Sequence, residues 1–421
     1  MSDDLEYQNL ARAHLLRQQG RDDEAEALLL ESIASNPEGA DAFCALALCR
    51  LNLKGKEKSA LDPIDRALAL EPNAHHFAVK AVVLNSLNRE QQALKFADQA
   101  IALDPEEPFH FYVKAAALAG LSRWAASEAE CRRSLALDAD YGLAKNLLAI
   151  TLRMQGKQWE TEVAVDQLLA EDPEDAWAHA NAGWAALTGS DHRKAEKHFR
   201  ESLRLDPGDE HARAGLLESF KARSPLYRAY LKYVFWMARF EKGTRWMIII
   251  GLYLGFRVGR ELLAAVHPLL AVVFVIAYLV FVFGGWLASG VGNLLVLADR
   301  SARYALERRE ILEAIFVGGG FFGGFLLVIA GLATGILPMA FVGGALVVAA
   351  IPWALTFTND SQAGRRLFGS IGVAVYLVGG WAAVELAMHG DISERTQSFV
   401  GLAAFAALFC TFIGNVGSLR R

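Results

Sequence analysis

The sequence predicts an all-α protein in two parts, a helical repeat solenoid followed by a polytopic transmembrane helix bundle. Three observations predict it. Helix-ending segments recur at a fixed spacing through the first half, apolar runs fill the second half, and the charge changes sign between them. Residues 1–210 hold 23 Lys and Arg against 36 Asp and Glu, a balance of −13, whereas residues 211–421 hold 19 against 11, a balance of +8. The first composition is acidic and rich in Ala and Leu. The second, with runs of about twenty apolar residues, belongs to the membrane class.

The repeat is read from its stops. "ASNPEG" at Pro37, "ALEPN" at Pro72, "ALDPE" at Pro105, "ALDAD" at Ala139, "AEDPE" at Pro173 and "RLDPG" at Pro207 stand 35, 33, 34, 34 and 34 residues apart. Between successive stops the pattern gives two amphipathic helices, separated by a turn residue such as Gly20, Gly55, Asn88, Ser122 or Gly156. Small residues recur where two helices must cross closely: Ala25, Ala60, Ala93 and Ala195 after the turn, and Ala67, Ala100 and Ser202 near the end of the second helix. One such pair cannot bury its apolar face alone, so neighbours must stack.

This pattern resembles the tetratricopeptide repeat over residues 6–209. The last unit matches best, with Gly183, Ala195, Phe199, Leu205 and Pro207 at the family's positions, while the fifth departs by placing Thr161 where a small Ala is usual. The resemblance implies about six helix pairs over residues 1–209, wound as a right-handed superhelix and closed by a capping helix over 210–223. It also implies a groove for a protein or peptide partner, lined by the first helices, with His75, Phe109, Tyr112, Asn146, Trp177 and Trp184 facing it. Aromatic positions serve packing as often as recognition, so Phe109 and Trp177 can equally seal neighbouring repeats. Lys80 and Lys114 recur at one position, but the Asn and Arg that complete the family's carboxylate clamp are absent, and no clamp is expected.

After the solenoid comes "SPLYRAYLKYVFWMARFEKGTRW". Ser224 suits an N-cap and Pro225 a first helical residue. At 100° per residue, Arg228, Lys232, Arg239 and Lys242 fall near one line, with aromatic and aliphatic residues over the rest. Residues 224–245 are therefore expected to form a basic interfacial elbow helix with its cations on anionic headgroups, the alternative being packing against the capping helix.

The region 246–421 offers about six transmembrane spans, near 246–262, 268–289, 314–334, 337–357, 368–388 and 399–417. Arg257 and Arg260 end the first apolar run early. The cationic stretches at Arg239–Arg245, Arg300–Arg309, Arg365–Arg366 and Arg420–Arg421 alternate so that all four face the cytosol, as the positive-inside rule requires. The chain opens on the acidic "MSDDLEYQNL" with no basic or apolar leader, which agrees with a cytosolic N-terminus. An integral protein of a bacterial inner membrane, with both termini cytosolic, is expected. The segment 290–312, with Arg300, Arg303 and Arg308 beside a Leu/Val side, is expected to be amphipathic on the cytosolic surface, binding anionic lipid, docking the repeat domain or setting topology. In the third span Gly319/Gly323 and Gly320/Gly324 form overlapping GxxxG pairs, for packing within the bundle or for a homo-oligomer seam.

Chemistry is sparse. No HExxH, Walker loop or strand-borne GxGxxG exists, and the four cysteines lack metal spacing, so no enzyme activity, cofactor or metal is expected. An acidic soluble half disfavours nucleic acid. Within the spans only Glu385, His389 and Asn415 stand out, the carboxylate near enough to an interface to reach water. The expected role is a membrane-anchored scaffold or adaptor that binds a protein partner in the cytosol and recruits it to a membrane complex. A channel or transporter regulated by the repeats, or a lipid-active membrane enzyme, are the alternatives. The whole chain resembles bacterial tetratricopeptide proteins with multi-span C-terminal regions, a class that implies no specific activity.

Overall fold

Six times in the first half, the backbone is forced into the left-handed region, and each time two helices meet there. Gly20, Gly55, Asn88, Ser122, Gly156 and Ser190 have φ of 71°, 83°, 56°, 59°, 77° and 70°. They are spaced as the helix stops are, and Ser190 extends the series read from sequence by one. In five of these turns the next N–H reaches back over the left-handed residue to close a Schellman motif: Arg21 to Leu16, Arg89 to Leu84, Arg123 to Leu118, Lys157 to Leu152 and Asp191 to Ala186, at 2.9–3.1 Å. The motif satisfies carbonyls that a helix end would otherwise leave bare.

The computed structural model describes residues 2–413. Its described elements are helical, without a strand among the described residues. The chain divides into two units, Met1–Ala212 with Tyr233–Ile248, and Arg213–Lys232 with Ile249–Arg421.

In the first unit the helices pair as α1 (Ser2–Gln18) with α2 (Asp22–Ser35), α3 (Ala40–Asn52) with α4 (Leu61–Leu70), α5 (Ala74–Ser86) with α6 (Glu90–Leu103), α7 (Pro108–Gly120) with α8 (Trp124–Leu137), α9 (Gly142–Gln155) with α10 (Gln158–Glu171), and α11 (Ala176–Thr188) with α12 (His192–Leu205). Ala25, Ala60, Ala67, Ala93, Ala100, Ala195 and Ser202 are all fully buried, as close helix crossing requires. The cores show why pairs stack. Ala13, Leu29 and Leu46 share one cluster, so α1 and α2 close only against α3. Ile64 and Val83 join α4 to α5, and Ala97 with Val113 joins α6 to α7. Val165 with Ala182 repeats the arrangement for α10 and α11. Thr161 is accommodated by turning its hydroxyl onto the Lys157 carbonyl at 2.8 Å.

Charge reinforces the stack. Glu128 of α8 is buried and accepts from Arg132 at 3.0 Å, and from Gln155 and Lys157 of the next repeat at 2.7 Å each. Burial raises its pKa, but the bonds from Lys157, Gln155 and Arg132 outweigh that and hold it down at about 2, against an ordinary 4.5. A depressed carboxyl contributes stability that is complete above its unfolded pKa and lost as pH falls through the folded one. Acid unfolding of the wild type will therefore include a component between about pH 4.5 and about pH 2. Glu128→Gln will lack that component, which a pH series of thermal melts reads directly.

The second unit begins with α13 (Glu210–Lys221) from Arg213 onward and the first part of α14 (Pro225–Ala238). Next come α15 (Lys242–Val266), α16 (Pro268–Ala298), α17 (Arg308–Glu313), a π-helical turn over Ala314–Gly319, α18 (Gly320–Thr334), α19 (Leu337–Thr358), α20 (Gln362–His389) and α21 (Glu394–Ile413). Four stretches are long and apolar enough to cross a membrane by length and composition: Phe281–Ala298, Arg308–Thr334, Leu337–Thr358 and Gln362–His389. The expected outer spans, 246–262 and 399–417, fall in α15 and α21, outside those four. Arg257, Arg260 and Glu261 interrupt the first, and residues 414–417 of the second lie outside the described residues, as do Asn415, Arg420 and Arg421.

The second unit departs from the sequence reading at residues 289–298, which continue α16 instead of opening a separate amphipathic segment. The reason lies in two glycines. A Cβ on Gly290 would stand 2.5 Å from Val317, and one on Gly292 would stand 2.8 Å from both Lys221 and Tyr227. These glycines admit close neighbours; they do not end the helix. The GxxxG pairs separate in the same way. Gly324 meets the Gly343 carbonyl of α19, where an added Cβ would lie at 2.6 Å, and Gly320 also faces α19 and α20, whereas Gly323 faces open space and Gly319 meets only its own helix.

Candidate functional site

On the first helices of successive repeats, aromatic rings succeed one another. His75 of α5 lies 6.0 Å from Phe109 of α7, Phe109 lies 6.4 Å from Tyr112, and Tyr112 meets Tyr141 edge-on at 6.0 Å. Helical spacing puts Phe109 and Tyr112 one turn apart on one face. Tyr141 comes from the turn before α9, with no helical period of its own, which is why sequence periodicity missed it. Phe109 is half-buried and packs on the cores of two adjacent repeats, so it seals them as well as facing outward. A hollow of about 350 Å³ opens beside it, lined by His75, Asp104, Glu107, Phe109 and His110.

The polar character of this face is mixed. Partial desolvation by the neighbouring rings first, then His76, lowers the pKa of the solvent-accessible His75, so its imidazole is presented neutral at neutral pH. Burial pushes Tyr141 up to about 12 and keeps it a phenol. Asp104 and Glu107 supply negative charge at the hollow, while the cations that could offset it are engaged elsewhere. Lys80 is buried against Asp65, and Lys114 holds Asp98 at 2.9 Å and Glu130 at 3.4 Å.

Further along, the expected residues part company. Asn146 is buried, its amide donating to the Gly142 carbonyl at 3.2 Å and accepting from Asn181 at 2.8 Å. It joins two repeats. Its partner Asn181, the only amide on the apolar helix "AWAHANAGWAALT", has no counterpart in the periodic pattern that would single it out. Trp184 sits edge-on to Phe199 at 5.4 Å, meets the tilted His211 ring at 5.1 Å, and lies under the Arg153 guanidinium at 5.8 Å. Its Nε1–H has no acceptor among the described residues. Burial lowers Arg153 to about 10, which leaves it cationic. Trp177, by contrast, is 51% exposed.

The basic residues expected at a membrane surface differ in exposure. Lys232, Arg239, Arg300, Arg303 and Arg308 are exposed and Arg228 is half-buried, while the side chain of Lys242 lies outside the described residues. Arg303 lies over the Tyr304 ring at 5.1 Å. On the opposite side of α14, Tyr227 and Leu231 are buried, and the Tyr227 hydroxyl donates to Glu218 at 2.9 Å. That turn of α14 packs on α13, the alternative to an interfacial position. Glu385 accepts the backbone N–H of Ser393 at 3.3 Å and so anchors the loop before α21. All four cysteines are free and buried. Burial pushes Cys44 and Cys131 up to about 12 and Cys49 up to about 11, so none of these three is a ready nucleophile.

Paired helices with recurrent Schellman turns and cores shared between neighbours define a helical-repeat solenoid. The family model described as tetratricopeptide repeat matches residues 10–75 and 162–210, and the chain carries tetratricopeptide repeats. The solenoid is similar to the crystal structure of PilW, a widely conserved type IV pilus biogenesis factor, at 20% identity over 50% of this chain and 98% of that one, with a TM-score of 0.42. It is also similar to pilF of Pseudomonas aeruginosa, at 19% identity over 53% and 99% of the two chains and a TM-score of 0.41. A tetratricopeptide repeat protein from Parabacteroides merdae covers 57% of this chain with 96% of its own, at 16% identity and a TM-score of 0.42. These likenesses concern the fold. No curated protein matches the chain.

Proposed function

We propose that this protein is a membrane-anchored tetratricopeptide scaffold that captures a protein or peptide partner on its repeats and recruits it to a membrane assembly. Tetratricopeptide domains bind such partners, and the observation that carries the reading here is the ring series His75, Phe109, Tyr112 and Tyr141, running across three repeats. Aromatic rings with carboxylates beside them suit a segment that alternates apolar side chains with Lys or Arg, since rings take both apolar contact and cation–π contact. The −13 balance of residues 1–210 draws the same partner at long range.

Anchoring rests on the four apolar helices. The side on which α13 lies is inferred from ion pairs within the second unit. Arg223 of the α13–α14 turn pairs with Asp299 at 2.5 Å, and Arg213 of α13 pairs with Glu310 at 3.1 Å. These pairs support a placement of residues 213–223 on the side of the cationic loop after α16, which the positive-inside rule makes the cytosolic side. On that placement the chain between them crosses out and back. An α15–α16 hairpin supplies that, with Phe256 stacked on Tyr278 at 3.8 Å, and it supports a crossing by α15 despite Arg257 and Arg260.

Trp177→Ala and His75→Ala in the full-length protein test the groove. Both side chains are exposed, so melting temperature will hold, while recovery of the co-purified partner will fall at least tenfold, as loss of about 1.4 kcal/mol or more at a recognition residue requires. Unchanged recovery with both variants would remove the groove from the proposal. A second reading, a channel or transporter governed by the repeats, draws support from one buried carboxylate in the second unit, Glu313.

A further inference from the structure

Glu313 ends α17, immediately before the π-helical turn, and is 5% exposed; Asn293 of α16 is 1% exposed. The Asn293 amide donates to Glu313 Oε2 at 2.9 Å. Two buried acceptor oxygens, Glu313 Oε1 and Asn293 Oδ1, are left without a hydrogen-bond partner among the described residues. Ser289, one turn before Asn293, faces the same carboxylate. A buried carboxylate needs a compensating positive charge, and two orphan acceptors need something that both can hold.

The charged neighbours do not supply it. Lys221 is one of three charged groups facing Glu313, with Arg309 and Glu310, but its ammonium is bound to Glu218 at 2.9 Å. Glu218 also takes the Tyr227 hydroxyl, which closes that subcluster. Arg309 donates to the Asn359 carbonyl at 2.8 Å, and Glu310 is held by Arg213. Every neighbouring cation has a partner of its own, and Glu313 is the carboxylate left over. The π-helical turn after it, Ala314–Gly319, is a second mark of the place. Such turns cost regular hydrogen bonding and concentrate at functional sites. Here the turn is pressed against α16, with Gly318 at the Gly290 carbonyl.

We propose that Glu313 Oε1 and Asn293 Oδ1 bind a single small monovalent cation, a proton or an alkali-metal ion, each of which places one unit of positive charge between two oxygen acceptors. Binding fills both orphan acceptors and neutralises the carboxylate. The proposal goes beyond the scaffold reading and does not depend on the groove.

Infrared difference spectroscopy of the full-length protein in lipid nanodiscs tests it, comparing wild type with Glu313→Gln at neutral pH in sodium chloride and in choline chloride. If the cation is a proton, wild type shows a neutral-carboxyl band in both salts that Glu313→Gln lacks. If it is an alkali ion, that band appears in choline and is lost in sodium. An ionised carboxylate in both salts, with no sodium-dependent change, overturns the proposal. Should Glu313→Gln fail to fold, Asn293→Ser serves in its place. Removing the amide will shift the band or abolish its response to sodium, and a band unmoved by this change belongs to another residue and also overturns the assignment.

Discussion

Gly324→Leu will leave little folded protein in detergent, while Gly323→Leu, one residue away, will melt as the wild type does. An added Cβ at Gly324 would stand 2.6 Å from the Gly343 carbonyl and 2.8 Å from Leu346. The contact is reciprocal, since a Cβ at Gly343 would stand 2.5 Å from the Gly324 carbonyl. Backbone has no rotamer with which to yield, so α18 and α19 must separate, and that forfeits the packing on which helix association in a membrane depends. The cost belongs at or above the top of the ~1–3 kcal/mol typical of overpacking. Gly323 has nothing within 4 Å, so leucine there meets open space. Size-exclusion profiles and thermal melts of the two variants read the difference. Equal behaviour would mean that the α18–α19 crossing is not the close one.

Phe199→Ala is the second large effect, in the last repeat. Phe199 is fully buried. Gly183 lies so close that a Cβ there would meet the ring at 2.6–2.7 Å, and Trp184 packs edge-on at 5.4 Å. Truncation removes the ring from its pocket and leaves a cavity between α11 and α12, at a cost of about 3–5 kcal/mol. Because repeats are coupled to their neighbours, the loss will spread through the stack as a lowered first melting transition and faster amide exchange in residues 176–205. The change also frees Trp184, which shares contacts with Arg153 and His211, so near-ultraviolet circular dichroism will report it. A melt unchanged within a degree would show that this repeat carries no share of the solenoid's stability.

Much of the solenoid is legible in the chain itself. Period, turns and small crossing residues all survive into the structure, because each is local chemistry: a left-handed residue every 33–35 positions and alanines where only alanine fits. The site is legible only in part. Trp177 and His75 are exposed, whereas Asn146 is bonded to Asn181, and Tyr141 enters from a turn. A helical period assigns a residue to a face. It does not say whether the next repeat already occupies that face.

By itself, then, the sequence determined the repeat, its length, its acidic charge and the apolar character of the second half, since composition and periodicity are properties of the chain. Only the tertiary structure decided which glycines are contacts and which face open space, and that residues 289–298 continue a helix. It also decided that Glu313 is buried with one of its oxygens unpartnered among the described residues. Those are questions of distance between segments far apart in the chain. Approach to 2.6 Å, or the lack of a partner for a buried oxygen, is settled by neighbours that no local pattern names.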